Sequence, residues 1–133
     1  MREVETRPLK VNIIQISVAI FLCVTFTAAA QADDVSGLWL RNNGESKVKI
    51  GPCGPALCGY VAWVEDPDDQ ADVGKKVFYD MMPAGENKWS GKAFNPEDGK
   101  TYSGTMQLKG TTLTTAGCVL GGLICQSVSW DRQ

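Results

Sequence analysis

After residue 33 the chain alternates short strand-like stretches with tight turn sequences, and this alternation constrains the fold more than any other feature. The strand-like stretches are rich in β-branched and aromatic residues or alternate polar with apolar ones. No stretch in this part of the chain repeats apolar residues at helical spacing over three turns. The predicted strands are residues 37–41, 46–50, 59–65, 75–82, 87–94, 100–110, 111–117 and 124–130.

The sequences between these strands are typical of turns. NNGE (42–45) and NPEDG (95–99) combine Asn, Asp, Pro and Gly, which supply positive or preset φ angles. KGTT (109–112) and LGGL (120–123) are also typical of tight turns. Strands joined mostly by hairpins form a meander, and closing it into a barrel removes its exposed edges. We therefore predict an all-β fold, a small antiparallel up-and-down β-barrel of about eight strands, with a β-sandwich as the alternative.

The first 32 residues have the pattern of a secretory signal peptide. Basic residues precede the apolar run VNIIQISVAIFLCVTF, and Ala30 and Ala32 stand at −3 and −1 of a cut before Asp33. An uncleaved membrane anchor is the alternative, because residues 11–32 are long enough to cross a bilayer. We predict cleavage, one domain over residues 33–133 with no integral membrane segment, and a periplasmic or secreted location.

Charge and residue types limit the chemistry. Cleavage would remove three basic and two acidic residues and leave 10 basic against 13 acidic, which argues against a nucleic-acid partner. The chain contains no histidine, which excludes Ser-His-Asp and Cys-His catalysis. Its carboxylates fall mostly in turns and in the acidic loop 65–75, where we expect them to be solvated. We predict no cofactor and no catalytic residue, and an enzyme that works with two carboxylates alone is the least supported alternative.

Four cysteines remain after the predicted cleavage, in two closely spaced pairs. An even number in a short exported domain predicts two disulfides, and spacings of four and six residues without histidine argue against a metal site. We favour the local pairing, Cys53–Cys58 and Cys118–Cys125, because each hairpin can bring two Cα atoms within about 7 Å. The alternative is a crossed pairing that ties the two hairpins together.

Aromatic residues are spread over most of the predicted strands. One interpretation is that they fill the core, since aromatic side chains bury a large area. The other is that they line an apolar cavity, as in some small barrels. The candidate ligand-pocket residues are Tyr60, Trp63, Phe78, Trp89, Phe94, Tyr102 and Trp130.

The first and last predicted strands resemble the closing motif of lipocalins and related calycin barrels. The residues that carry this resemblance are the Gly-x-Trp of SGLWL and the arginine of SWDRQ. The resemblance implies that Gly37 permits close packing and that Trp39 plugs one end of the barrel. It also implies that Arg132 lies across the indole as a cation–π lid.

Four longer segments together resemble the bacterial family called domain of unknown function 2147. They are GLWL, VKIGPCGPALCGYVAWV, KWSGKAFNPEDGKTYSGTMQL and LTTAGCVLGGLICQSVSWDR, and they cover nearly all of residues 33–133. The resemblance implies a small exported protein with a lipocalin-like barrel, and it implies no activity.

The sequence therefore leaves three functions open. The first is a non-enzymatic barrel that binds a small apolar or amphipathic ligand. The second is a filled-core structural or interaction protein of the cell envelope. The third is the histidine-free carboxylate enzyme.

Overall fold

A computed structural model describes residues 34–133, which form a closed antiparallel barrel of eight strands. Each strand pairs with the next one, and the last pairs with the first. The prediction of an all-β up-and-down barrel is therefore confirmed, and closure rules out the sandwich. The predicted signal peptide lies outside the described residues. The strands are β1 (Gly37–Arg41), β2 (Ser46–Cys53), β3 (Ala56–Val64), β4 (Lys76–Gly85), β5 (Lys88–Asn95), β6 (Lys100–Lys109), β7 (Thr112–Val119) and β8 (Ile124–Arg132).

Several strands are longer than predicted, and the hairpin between β2 and β3 is the clearest case. Ladder pairing continues to Cys53 and Ala56, so that only Gly54 and Pro55 form the turn. Gly54 has a φ of +62°, which glycine adopts without the steric cost that a Cβ brings. β8 likewise continues to Arg132, which the sequence had placed after the last strand.

The described residues contain two short 3₁₀-helices in places predicted as loop or turn. The first, Pro67–Asp72, lies in the acidic loop. It begins with the Asp66 side chain accepting a hydrogen bond from the backbone N–H of Asp68, and with proline at the first helical position. The second, Leu120–Gly122, forms the connection between β7 and β8. No helix within residues 34–133 is long and apolar enough to cross a membrane.

Antiparallel strand order sends the connections alternately to the two ends of the barrel. We call one end the open end, and its connections are residues 42–45, 65–75, 96–99 and 120–123. The opposite, closed end has the connections 54–55, 86–87 and 110–111. Residues far apart in the chain therefore meet at one end of the molecule.

Large apolar side chains fill the barrel at the closed end. Side chains along a strand alternate between the two faces of a sheet. On β6, for example, Met106 and Leu108 are buried, whereas Thr105 is exposed. Burial of each such side chain contributes about 1.5–3 kcal/mol. The most deeply buried large side chains are Trp39, Val48, Ile50, Met81, Met106, Leu108 and Leu113.

Trp39 is fully buried, and Arg132 covers its ring. The guanidinium carbon lies 4.4 Å from the centre of the indole, a distance at which a cation–π interaction forms. Trp39 Nε1 donates to the carbonyl oxygen of Val35 at 2.9 Å. The two terminal nitrogens of Arg132 donate to the carbonyl oxygens of Ser36 and Asp34 at 3.1 and 2.6 Å. These contacts attach the segment before β1 to the end of β8.

Gly37 allows this attachment. Its φ is +133°, which an L side chain rarely adopts, and a Cβ placed on it would lie 3.4 Å from Nη1 of Arg132. Trp39 and Arg132 are direct partners in the ladder between β1 and β8. The three residues named by the closing motif therefore lie together at the point where the barrel closes.

Candidate ligand cavity

A cavity of about 470 Å³ occupies the barrel interior towards the open end. Small-molecule sites in proteins have volumes of about 300–1,000 Å³. Several of the residues that line this space are small, among them Ala93, Thr115, Gly117 and Val128. Since the barrel has the same eight strands throughout, these small residues leave open a space that larger side chains fill at the closed end. Valines and aromatic rings form the apolar part of the lining: Val48, Val61, Val64, Val77, Phe78, Phe94, Val128 and Trp130.

One polar group lies among these apolar side chains. Thr115 on β7 is only 4% exposed and lines the cavity. Its hydroxyl oxygen accepts a hydrogen bond from Nε1 of Trp130 on β8 at 2.9 Å. The Trp130 ring stands edge-on to Phe78, with their centres 6.3 Å apart and their planes at 83°. The hydrogen bond and the ring contact together hold Trp130 in place as a wall of the cavity.

Four of the seven aromatic residues predicted for a ligand pocket lie together at the cavity: Phe78, Phe94, Tyr102 and Trp130. The other three lie elsewhere. Trp89 is half-buried opposite Met106 and packs against the filled core. Tyr60 is 39% exposed and Trp63 is 42% exposed, and neither lines the cavity.

The ladder between β2 and β3 explains why two aromatic residues face outwards. Ile50 is buried and pairs with Gly59, so the next residue, Tyr60, points to the other face. A register shift between Lys47 and Val48 breaks the alternation along β3. Consequently Trp63 pairs with Lys47 on the outer surface instead of following Val61 inwards. The Lys47 ammonium lies 5.4 Å from the centre of the Trp63 ring.

Three of the four open-end connections bring carboxylates to the mouth of the cavity. We call this set of carboxylates the acidic rim, and its members are Glu45, Asp69, Asp72, Glu97 and Asp98. Two of these carboxylates have a cationic neighbour. Arg41 Nη1 lies 3.9 Å from Glu45, and Lys75 Nζ lies 2.7 Å from Asp72. Within residues 34–133, no group of three or more Cys, Asp or Glu side chains is arranged to hold a metal ion.

Asp98 has a defined position on the acidic rim. Its carboxylate accepts hydrogen bonds from the Tyr102 hydroxyl and from the backbone N–H of Lys100. The Tyr102 hydrogen bond, together with the Lys100 backbone bond, lowers the pKa of Asp98 below its ordinary value. The same hydrogen bond raises the pKa of Tyr102 above its ordinary value. Asp98 is therefore ionised at neutral pH, and Tyr102 is a neutral donor.

The fourth connection at the open end is apolar, and we call it the apolar lip. Its large side chains are exposed, by 69% for Leu120 and 85% for Leu123. The flanking residues Val119 and Ile124 are exposed as well, and they also line the cavity. The mouth of the cavity therefore combines an acidic rim with an apolar lip.

Each disulfide joins the two strands of one hairpin, at opposite ends of the barrel. Cys118 and Cys125 are direct ladder partners with Cα atoms 4.1 Å apart, and they hold the base of the apolar lip. Cys53 and Cys58 lie in β2 and β3 at the closed end, with Cα atoms 5.7 Å apart. The structure thus contains the local pairing, and neither bridge borders the cavity.

The acidic rim was missing from the pocket residues predicted from the sequence. Asp69 and Glu97 are 28 positions apart in the chain, and each belongs to a segment that alone resembles a solvated loop. A signal was available in the strand order, because alternate connections of an up-and-down barrel meet at the same end. Placing the turns on the predicted topology would have brought these acidic residues together.

Comparisons with known proteins agree with this architecture. One solved structure is described as "Protein HP1028 from the human pathogen Helicobacter pylori belongs to the lipocalin family". It superimposes with a TM-score of 0.62 at 17% sequence identity, over 75% of this chain and 83% of that one, a likeness that concerns the fold. No curated protein matches the chain. The sequence model of a bacterial family described as "Uncharacterized protein conserved in bacteria (DUF2147)" matches residues 37–132. The chain therefore belongs to the DUF2147 family, and its fold is a lipocalin-like barrel.

Proposed function

We propose that this protein is a non-enzymatic binding protein that holds a small apolar or amphipathic molecule inside its barrel. The observation that carries the proposal is the uneven filling of the interior. Large side chains pack the closed end, whereas a space of about 470 Å³ remains beside Phe78 and Trp130. A largely apolar space with a few polar groups is the usual form of a small-molecule site.

A filled-core structural or interaction protein of the cell envelope is the second candidate. The apolar lip favours it, because exposed side chains such as Leu120 and Leu123 are typical of surfaces that contact another protein. The cavity favours the first candidate, since a barrel that serves only as a scaffold gains stability when its interior is filled.

A carboxylate enzyme is the third candidate, and the site supports it least. A general acid of a glycosidase needs a raised pKa, which burial supplies. The pKa of Asp98 at the cavity mouth is instead lowered by the Tyr102 hydrogen bond.

We also propose that the protein is exported and acts in the periplasm or outside the cell. Two disulfides are compatible with an oxidising compartment. N-terminal sequencing of protein recovered from the periplasm would test this location, and we expect a mature chain that begins at Asp33. A chain that keeps residues 1–32 and sediments with membranes would contradict it.

Native mass spectrometry of protein purified from its own host tests the binding function. We expect a second species, heavier by the mass of one small organic molecule, which disappears after delipidation. Tryptophan fluorescence then provides a titration, because Trp130 borders the cavity. A Trp63→Phe variant removes an indole that lies outside the cavity and should leave the fluorescence change intact. A scaffold protein would show neither the added mass nor a saturable change with any apolar compound.

A further inference from the structure

The charged side chains at the cavity mouth are mostly of one sign. Among the described residues that line the cavity, five are carboxylates and one, Arg41, is a cation. Arg41 lies beside Glu45, and Lys75 lies beside Asp72. Asp69, Glu97 and Asp98 have no salt-bridge partner within residues 34–133. The five carboxylates therefore outnumber the two neighbouring cations, and the mouth carries a net negative charge.

The cavity beneath these carboxylates distinguishes them from an ordinary acidic surface. An acidic surface by itself is usually solvated and needs no ligand. Here the rim borders the entrance to a space walled by rings and valines. An amphiphile with its tail among these apolar groups would therefore have its head near Asp69, Glu97 and Asp98. Thr115 adds a buried hydroxyl inside the same space.

Two features oppose a ligand with an anionic head. A fatty acid that entered with its tail first would bring its carboxylate against the rim, where like charges repel. Asp98 remains ionised at neutral pH, because Tyr102 and the Lys100 backbone donate hydrogen bonds to it. A cationic head would instead find several carboxylate oxygens that accept its hydrogen bonds or attract its charge.

We propose that the cavity selects amphiphiles with a cationic head, such as long-chain amines or quaternary ammonium compounds, over fatty acids. The tail lies against Phe78, Val128 and Trp130, and the head lies at the acidic rim. This inference rests on the proposed binding function, and it specifies the charge of the ligand's head group.

Three probes of equal chain length test the proposal: dodecylamine, 1-dodecanol and dodecanoate. Affinities are measured by calorimetry at neutral pH and low ionic strength, below the concentration at which each probe aggregates. We expect the amine to bind at least about tenfold more tightly than dodecanoate, with dodecanol between them. Added salt should reduce the preference, because it screens exposed charges.

Two double variants with the same change in net charge locate the effect. Asp69→Asn with Glu97→Gln removes rim carboxylates and should reduce the preference for the amine several-fold. Glu86→Gln with Asp131→Asn removes exposed carboxylates outside the cavity and should preserve it. Asp98 is kept in both variants, because it accepts hydrogen bonds within its own turn.

The outcomes separate this inference from the function on which it rests. Dodecanoate binding as tightly as the amine would overturn the inference, as would an unchanged preference in the rim variant. Binding of dodecanol in either case would leave the proposed binding function standing. Failure of all three probes to bind would overturn the binding function and the inference with it.

Discussion

The indole N–H of Trp130 donates to the hydroxyl oxygen of Thr115 at 2.9 Å, between strands β7 and β8 at the wall of the cavity. Both side chains are buried, at 6% and 4% exposed. A Thr115→Val substitution keeps the shape of the side chain and removes the acceptor. A buried donor without a partner costs about 1–3 kcal/mol, so the free energy of unfolding in urea should fall by about that amount.

Thr114→Val is the matched control for that substitution. Thr114 is the neighbouring residue on β7 and is exposed on the outer face. Its substitution should change the free energy of unfolding by no more than about 0.5 kcal/mol. Equal stability of the two variants would show that the hydrogen bond does not hold the wall in place.

A second prediction concerns the lid at the closed end. Arg132→Met retains an apolar stem over Trp39 but removes the cation–π contact and the hydrogen bonds to the carbonyls of Asp34 and Ser36. We expect the free energy of unfolding to fall by about 2 kcal/mol. Lys109→Met removes an exposed cation at the same end and should be nearly neutral. A loss of stability of the same size in both variants would attribute the effect to net charge rather than to the lid.

A third prediction concerns the close approach of strands around Gly104. A Cβ at this position would lie 2.7 Å from Cε of Met81 and 2.9 Å from the backbone carbon of Lys92. Gly104→Ala should therefore lower the melting temperature through overpacking, with a loss of about 1–3 kcal/mol. Gly51→Ala, where a Cβ meets nothing within 4 Å, is the control and should be tolerated. Equal tolerance of the two alanines would contradict the packing described here.

A fourth prediction concerns pH. The pKa of Asp98 is lowered by the Tyr102 hydroxyl first and by the Lys100 backbone N–H second. A lowered pKa means that these interactions stabilise the turn above the ordinary carboxyl pKa and that this stabilisation is lost as pH falls through the lowered value. Tyr102→Phe should move the Asp98 pKa upwards in a carboxyl-detected NMR titration. Tyr60→Phe removes an exposed hydroxyl outside the cavity lining and should leave the pKa of Asp98 unchanged. An Asp98 pKa that is the same in Tyr102→Phe would mean that this hydrogen bond does not form in solution.

Local sequence signals were sufficient to predict most of the fold. Alternating strands and Gly-, Asn- and Pro-rich turns predicted eight strands in the observed order, and short cysteine spacings favoured the pairing that the structure contains. Each of these features depends only on residues that are close together in the sequence. The resemblance of SGLWL and SWDRQ to a closing motif placed Gly37, Trp39 and Arg132 together, as they are in the structure.

The site was harder to predict, because it depends on the register of the strands and on how far the inward side chains fill the barrel. Strict alternation puts Trp63 on the same face as Val61, but the register shift between β2 and β3 turns it outwards, and no residue type announces that shift. Whether Phe78 and Trp130 fill the interior or border a space depends on the volumes of all the inward side chains at the same level, such as Ala93 and Thr115. That sum is fixed only when every strand has its register.

We propose that the space beside Thr115 and Trp130 binds an apolar molecule, and a side chain that blocks this space tests the proposal. Val128 lines the cavity on β8, and Ser127 next to it is exposed on the outer face. Val128→Phe adds bulk inside the cavity, whereas Ser127→Phe adds the same ring outside. The measurement is a fluorescence titration with the neutral apolar probe N-phenyl-1-naphthylamine.

We predict saturable binding of one probe per barrel by the unmodified protein and by Ser127→Phe. We predict binding at least about tenfold weaker by Val128→Phe, with no loss of melting temperature, because the added ring fills empty space. No saturable binding by the unmodified protein, or equal binding by both variants, would show that the cavity is not a binding site for apolar molecules.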